Sequence, residues 1–150
     1  KENIKLLLVG PFEDELDPLQ KRTKLLIKNN ENIISVGYQN DVRPCFAISD
    51  CLVFPSYREG FPNVVMQAGA MKLPSIVSDI NGCNEIIIEG ENGWIIPVKN
   101  EEALLNAMKN CFTLSNELIK VKLNARKMIV ERYEQGVVWK AILTEYKSLE

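Results

Sequence analysis

Short apolar segments recur along this chain, and each is followed by turn residues and a helical stretch. The segments predicted to be strands are residues 4–9, 33–36, 51–54, 75–77 and 94–96. Continuous apolar runs of this length are typical of strands that are buried on both faces of a parallel sheet. Because strands and helices alternate, the sequence predicts an α/β fold: a parallel sheet flanked by helices, with a helical C-terminal tail.

Caps and apolar spacing predict where the helices lie. Asp17 as N-cap and Pro18 as the first helical residue predict a helix that ends near Asn30. Further helices are predicted over residues 41–48 (capped by Asp41), 62–72, 101–112, 115–131 and 136–148. In a parallel sheet, ligands bind at the carboxyl ends of the strands, so the loops that follow the strands are the candidate binding segments.

Charge and residue content exclude several classes of function. Lys and Arg total 18 against 20 Asp and Glu, so the chain lacks the positive field of a nucleic-acid-binding protein. It contains no histidine, which excludes Ser-His and Cys-His catalytic pairs and histidine metal sites within this chain. The four cysteines match no zinc spacing, which favours free thiols in a reducing compartment.

The segment from Pro55 to Gln67 is the most informative loop. Pro62 is predicted as the first residue of a helix whose next N–H groups are unpaired, an arrangement that binds phosphate. Gly60 is predicted to take a backbone conformation that a side chain would hinder. Glu59 and Gln67 could accept hydrogen bonds from hydroxyl groups, and this combination suits a sugar nucleotide. The plain alternative is a capped strand–helix junction with exposed polar residues.

Three other loops carry weaker signals. Asn81-Gly82 predicts a turn, and Glu85 either caps the apolar turn that follows or holds the loop. Residues 89–93 predict a tight polar turn with no further role. Gly37-Tyr38 follows the second strand, where its backbone could pair with a nucleotide base, or Gly37 simply ends the strand.

Residues 56–65, Ser-Tyr-Arg-Glu-Gly-Phe-Pro-Asn-Val-Val, resemble the signature of the group 1 retaining glycosyltransferases (family 4, GT-B fold). Further segments agree with that family in order and spacing: 7–10, 34–38, 47–56, 74–79 and 81–93. The resemblance covers nearly the whole chain. It implies that residues 1–150 form a single Rossmann-like donor-binding domain and that the N-terminal acceptor domain is absent from this chain.

The resemblance also implies a role for each site residue. Glu59 would be the catalytic residue, with a carboxylate that contacts hydroxyls of the donor sugar, and Gln67 would contact the ribose. Gly37 and Tyr38 would meet the base. Backbone groups between Glu59 and Gln67 would face the diphosphate and the sugar, namely those of Gly60, Phe61, Pro62, Asn63 and Val64.

Two residues depart from the family pattern. Gln67 stands where the family has a second glutamate, and a neutral amide accepts a weaker hydrogen bond than a carboxylate does. Lys72 stands where the family usually has glycine at the end of the helix. We expect either a left-handed lysine, at a cost of ~1 kcal/mol, or a different helix end.

The resemblance therefore implies one half of a retaining glycosyltransferase that moves a sugar from a nucleoside-diphosphate sugar to a glycan, lipid or other acceptor. It implies no metal and no cofactor, and no nucleic-acid partner. The chain alone is expected to be inactive, because half of the cleft lies outside it. The expected location is the cytoplasm, with the full-length protein free or peripheral on the inner face of the membrane.

Three alternatives have different functions. A catalytically silent interaction domain is kept open by Gln67, and a GT-B sugar-nucleotide epimerase or hydrolase shares the fold. A dinucleotide-binding dehydrogenase is disfavoured, because Gly10-Pro11 follows the first strand in place of a G-x-G-x-x-G motif.

The last predicted helix, residues 136–148, carries one more expectation. Its apolar positions, which include Val138, Ile142 and Tyr146, are broader than one stripe, and the resemblance places it against the N-terminal domain.

Overall fold

Parallel strands joined by helices form the framework, as the alternation of apolar runs predicts. The computed structural model describes residues 4–16, 18–113 and 115–149. The chain divides between Ile48 and Ser49 into two units, and each has its own parallel sheet. The predicted α/β class with helices flanking parallel strands is confirmed.

The first unit contains two strands and two helices: β1 (Leu6–Leu8), α1 (Lys21–Asn29), β2 (Ile33–Ser35) and α2 (Arg43–Ala47). Strands β1 and β2 pair in parallel.

The starts of both helices in this unit differ from the prediction. Asp41 Oδ1 accepts the backbone N–H of Arg43 at 3.0 Å, but the N-cap of α2 is Val42, so the cap predicted at Asp41 lies one residue too early. Hydrogen bonds from Arg43 lower the pKa of Asp41 to about 2. The predicted start of α1 at Pro18 is wrong, because Gln20 is still extended and the helix begins at Lys21. Position 17, the predicted N-cap, lies outside the described residues.

The second unit contains three strands and five helices: β3 (Leu52–Phe54), α3 (Asn63–Ala70), β4 (Ser75–Ser78), α4 (Cys83–Ile86), β5 (Gly93–Ile96), α5 (Glu101–Thr113), α6 (Ser115–Tyr133) and α7 (Gln135–Ser148). The strand order is β3-β4-β5, all parallel, and every residue of the central strand β4 is buried.

Successive side chains of β4 point to opposite faces of this sheet, and each face is covered by helices. Val77 packs in a cluster with Val65 of α3 and Ile129 of α6. Ile76 packs in a second cluster with Ile96 and with Cys111 of α5. The sheet is thus buried on both sides, and the loops at its carboxyl edge are the part left for ligands.

Helix α3 ends with Lys72 in the left-handed conformation, which is the first of the two expectations for this residue. Lys72 has φ +64°, in the left-handed region. Its N–H donates to the Gly69 carbonyl, and the N–H of Leu73 donates to the Ala68 carbonyl, both at 2.9 Å. This pair of hydrogen bonds is the Schellman motif, which normally has glycine at this position. The helix keeps its usual end, and a lysine takes the strained conformation.

Candidate functional site

Two loops meet at the carboxyl edge of the three-stranded sheet. Residues 55–62 join β3 to α3, and residues 79–82 join β4 to α4. They touch at Gly82, which has φ +78°. A Cβ on Gly82 would overlap the Gly60 carbonyl oxygen and would lie 2.9 Å from Cδ of Pro62. Glycine is therefore required at position 82, both for the backbone conformation and for the close approach of the loops.

The prediction that Gly60 needs its conformational freedom is wrong. Its φ is outside the left-handed region, and a Cβ there would meet no atom within 4 Å. The steric requirement lies on the other loop because Gly82 approaches Gly60, so the crowded Cβ would be the one on Gly82.

Glu59 is half-buried in the first of these loops. The hydroxyl of Ser56 donates a hydrogen bond to its Oε1 at 2.8 Å. Burial, and then the negative charge of Glu59, raise the pKa of Cys83 to about 11, which places the carboxylate near the start of α4. Among the hydrogen bonds described for the chain, none uses Glu59 Oε2, so this oxygen is available to a ligand hydroxyl.

The start of α3 presents unpaired backbone N–H groups beside this carboxylate. Pro62 has ψ 103° and is the N-cap, so its predicted place as the first helical residue is wrong by one position. Its carbonyl accepts the N–H groups of Val65 at 3.1 Å and Met66 at 3.4 Å. The N–H groups of Asn63 and Val64 have no acceptor within the described parts of the chain. Two donors at a helix N-terminus favour an anion.

Gln67 lies on the exposed surface of α3, and its side-chain amide takes part in none of the hydrogen bonds described for the chain. It is four residues after Asn63 and three after Val64, so it shares their side of the helix. The structure therefore brings together the predicted site residues of the second unit: Glu59, Gly60, Phe61, Pro62, Asn63, Val64 and Gln67.

Gly37 and Tyr38 belong to the first unit and are described within it. Gly37 has φ +65°, and its carbonyl accepts the N–H of Gly10 at 2.9 Å. Tyr38 is 71% exposed. Both follow the carboxyl end of β2.

Glu85 and Asn92 serve the fold, Glu85 beside the site and Asn92 on the turn before β5, at the opposite edge of the sheet. Glu85 Oε1 accepts the N–H of Gly82 at 3.2 Å, which confirms the capping interpretation. Asn92 is only 2% exposed and binds two backbone groups that precede it in the chain. Its Oδ1 accepts the N–H of Ile88 at 2.7 Å, and its Nδ2 donates to the Ile86 carbonyl at 3.0 Å. The turn thus has a structural role that the sequence analysis missed, although its Asn-Gly pair was the available signal.

The end of α6 also reaches the site, and no motif in the sequence indicates it. The hydroxyl of Tyr133 donates to the Glu85 carbonyl at 3.0 Å. Its ring lies edge-to-face against Phe61, with ring centroids 5.4 Å apart.

Two other kinds of feature are absent from the described residues. In the parts of the chain that the structure describes, no three Cys, Asp or Glu side chains converge to hold a metal ion. Over the same residues, no helix is long and apolar enough to cross a membrane. The absence of a metal from the reaction stays a prediction.

Comparison with known proteins points to one group of enzymes. A family model described as glycosyl transferases group 1 matches residues 1–113. The capsular polysaccharide biosynthesis glycosyltransferase CapM of Staphylococcus aureus is 24% identical over 97% of this chain and 38% of its own length. An N,N'-diacetylbacillosaminyl-diphospho-undecaprenol alpha-1,3-N-acetylgalactosaminyltransferase of Campylobacter jejuni is 30% identical over the same shares, 97% and 38%.

Solved structures give the same fold. HepE of Anabaena in complex with UDP superposes with a TM-score of 0.85 at 19% identity, over 97% of this chain and 41% of that one. The same protein has been solved with UDP-glucose, with a TM-score of 0.82 at 19% identity over 96% of this chain and 41% of that one. A glycosyltransferase of Rickettsia africae has a TM-score of 0.83 at 25% identity, over 97% and 40%. The chain thus spans about two fifths of the length of the relatives it matches.

Proposed function

Because the chain belongs to the group 1 glycosyl transferases, we propose that it is the donor-binding half of an enzyme that transfers a sugar from a nucleoside-diphosphate sugar to an acceptor. One observation carries this proposal: the Glu59 carboxylate, positioned by Ser56, lies just before the unpaired N–H groups at the start of α3. In a nucleoside-diphosphate sugar, the sugar hydroxyls can donate to this carboxylate, and the diphosphate can accept from these N–H groups.

The start of α3 is proposed to bind the diphosphate. The N–H groups of Asn63 and Val64 offer two donors, and the helix dipole adds a partial positive charge. Negative charge accumulates on the diphosphate as the bond to the sugar breaks. Preformed donors stabilise that charge without reorganising, which is how electrostatic catalysis lowers a barrier. We propose that the helix N-terminus does this work without a metal ion.

Glu59 is proposed to hold the sugar. Its Oε1 already accepts from Ser56 at 2.8 Å, so the carboxylate is oriented before the substrate arrives. A hydrogen bond from a sugar hydroxyl to a carboxylate is charge-assisted and is about twice as strong as a neutral one. Orienting the sugar over the diphosphate allows the leaving group to assist attack on the same face, and we propose retention of configuration on this ground.

The nucleoside is proposed to contact Gln67 through its ribose and Gly37 and Tyr38 through its base. HepE, which shares the fold, has been solved with UDP and with UDP-glucose, so uridine nucleotides are the first ligands to test. The C. jejuni relative is named for a diphospho-undecaprenol-linked sugar. We therefore propose an acceptor of the glycan or lipid-linked class, met in the cytoplasm or at the inner face of the membrane.

The experiment compares Glu59→Ala with wild type in the full-length protein. Calorimetry against UDP, and then against UDP-glucose, UDP-galactose and UDP-N-acetylglucosamine, identifies the donor. For that donor, Glu59→Ala should lower turnover about 10- to 100-fold, because a charge-assisted hydrogen bond contributes ~1.5–3 kcal/mol. Binding of UDP alone should change less than twofold, since UDP lacks the transferred sugar that Glu59 is proposed to contact.

Glu91→Ala is the matched control, because Glu91 is an exposed acid on the turn before β5, at the opposite edge of the sheet. It should retain normal turnover. A Glu59→Ala protein that unfolds would assign the carboxylate a capping role. Near-normal kinetics would remove Glu59 from the site, and a wild-type protein that binds no nucleotide would support the silent interaction domain.

A further inference from the structure

One side chain at the end of α6 touches both the β3–α3 loop and helix α4. Tyr133 is half-buried, and its hydroxyl donates to the Glu85 carbonyl of α4 at 3.0 Å. Its ring meets the ring of Phe61, on the β3–α3 loop, at an interplanar angle of 67°. Edge-to-face pairs of this kind are favourable beyond the area they bury. Tyr133 therefore links two segments that are separated in sequence and adjacent in the site.

Arg132 strengthens the same link. Its guanidinium donates to the carbonyl oxygens of Glu85 and Ile86, and it lies over the Tyr133 ring with Cζ 4.8 Å from the centroid. Helix α4 has only four residues, so its last carbonyls cannot be satisfied within the helix. The end of α6 supplies donors for them and so determines where α4 sits.

The position of α4 in turn determines the geometry around Glu59. Gly82, the residue before α4, is in close contact with the Gly60 carbonyl. Burial, and then the negative charge of Glu59, raise the pKa of Cys83, the first residue of α4. A shift of α4 would therefore move the backbone on which Glu59 and the start of α3 depend.

Resting on the proposed function, we infer that Tyr133 is a positioning residue for the transfer reaction. Its hydroxyl fixes α4 and its ring fixes Phe61, so that the Glu59 carboxylate keeps its distance from the N–H groups of Asn63 and Val64. The hydroxyl distinguishes a positioning role from apolar packing. A purely apolar packing role would need the ring alone, whereas the hydroxyl binds the carbonyl of the residue that also caps Gly82.

The test uses full-length protein and compares Tyr133→Phe with wild type. This variant keeps the ring against Phe61 and removes only the hydrogen bond. Amide hydrogen exchange of residues 59–64 and 82–86, without ligand, should become about fivefold faster or more, because the loops lose a tether. The Kd for UDP should rise about three- to tenfold, because N–H donors that move must be ordered on binding. Tyr133→Leu, which loses both contacts, should increase the exchange rate and the Kd for UDP by more than Tyr133→Phe does.

Arg126→Met is the matched control on the same helix. The Arg126 guanidinium donates to the Ala70 carbonyl, at the far end of α3. Its loss should lower thermal stability without changing exchange at residues 59–64 or the Kd for UDP. If Tyr133→Phe changes only thermal stability, as this control does, Tyr133 is structural and the inference is overturned.

Failure of the proposed function is distinguishable from failure of the inference. A wild-type protein that binds neither UDP nor GDP nor ADP overturns the proposed function, and the positioning role for transfer falls with it. Unchanged exchange at residues 59–64 in Tyr133→Phe, in a wild-type background that binds UDP, overturns the inference alone. Faster exchange together with weaker UDP binding supports it.

Discussion

Gln67 is the residue of the proposed site that departs from the family pattern, which has a glutamate at this position. Its amide is exposed on α3, and no hydrogen bond described for the chain uses it. If it faces the ribose, Gln67→Glu should tighten nucleotide binding by ~1 kcal/mol or less, because the stronger acceptor is partly offset by repulsion from the diphosphate. Gln67→Ala should weaken binding and leave the thermal midpoint nearly unchanged, since the side chain supports no core. Calorimetry with UDP and thermal unfolding measure the two effects.

Two results for Gln67→Ala contradict the ribose role only when they occur together. Unchanged UDP affinity in Gln67→Ala together with lost stability would make Gln67 a structural residue of α3. The silent interaction domain would then gain support. An exposed polar residue of the same unit, Asn106 on α5, provides the control, because Asn106→Ala should change neither quantity.

Lys72 tests how much strain the end of α3 holds. A non-glycine residue in the left-handed region costs roughly 1–2 kcal/mol, and glycine loses part of that gain to its greater freedom in the unfolded chain. We expect Lys72→Gly to raise the free energy of unfolding by about 0.5–1 kcal/mol. Lys72→Ala removes the same exposed side chain and keeps the strain, so it should be nearly neutral. Equal urea midpoints for the two variants would show that position 72 is unstrained.

At the scale of helices and strands, the sequence predicts strands well because continuous apolar runs leave little ambiguity. The strand predicted over residues 75–77 is observed as Ser75–Ser78. Helix starts are less certain where proline is the signal. Proline restricts φ and leaves ψ open, and ψ decides whether the residue precedes the helix or begins it. Pro62, with ψ 103°, precedes it.

The site was predictable only where its parts are local in sequence. Glu59 and the unpaired N–H groups follow from one loop and the helix it begins. The contact between Tyr133 and Glu85 joins residues 48 positions apart, and no local pattern indicates that the one aromatic residue of α6 contacts α4 and Phe61. The fit of Gly82 against Gly60 is equally a product of tertiary packing, which is why the steric requirement was assigned to the wrong glycine.

Helix α7 exposes an apolar surface of its own. None of its residues is buried, and Trp139 is 63% exposed. The apolar surface of α7 is therefore not covered by the described residues of this chain. We expect the N-terminal domain of the full-length protein to cover part of it, because burying apolar area is favourable. Amide exchange over residues 135–148 should be slower in the full-length protein than in residues 1–150, and equal protection would contradict this.

At the scale of the whole molecule, we propose that the chain binds a donor and does not complete a transfer by itself. It spans 38% of the length of CapM, and the acceptor domain is expected outside residues 1–150. Of the predicted site residues, Gly37 and Tyr38 belong to the first unit and Glu59 to Gln67 to the second. That residues 1–150 act as a single donor-binding domain stays a prediction.

Residues 1–150 on their own should bind UDP weakly and turn over no donor. Binding needs only the base, ribose and diphosphate contacts, which the proposal places within this chain. Transfer also needs an oriented acceptor and a closed, water-poor cleft, and orientation alone can supply about 7–11 kcal/mol of a barrier. Phosphorus NMR of UDP-glucose incubated with residues 1–150, and in parallel with the full-length protein, measures release of UDP. Release by residues 1–150 at a rate near that of the full-length protein would show that the chain hydrolyses its donor unaided, and the hydrolase alternative would replace the transferase.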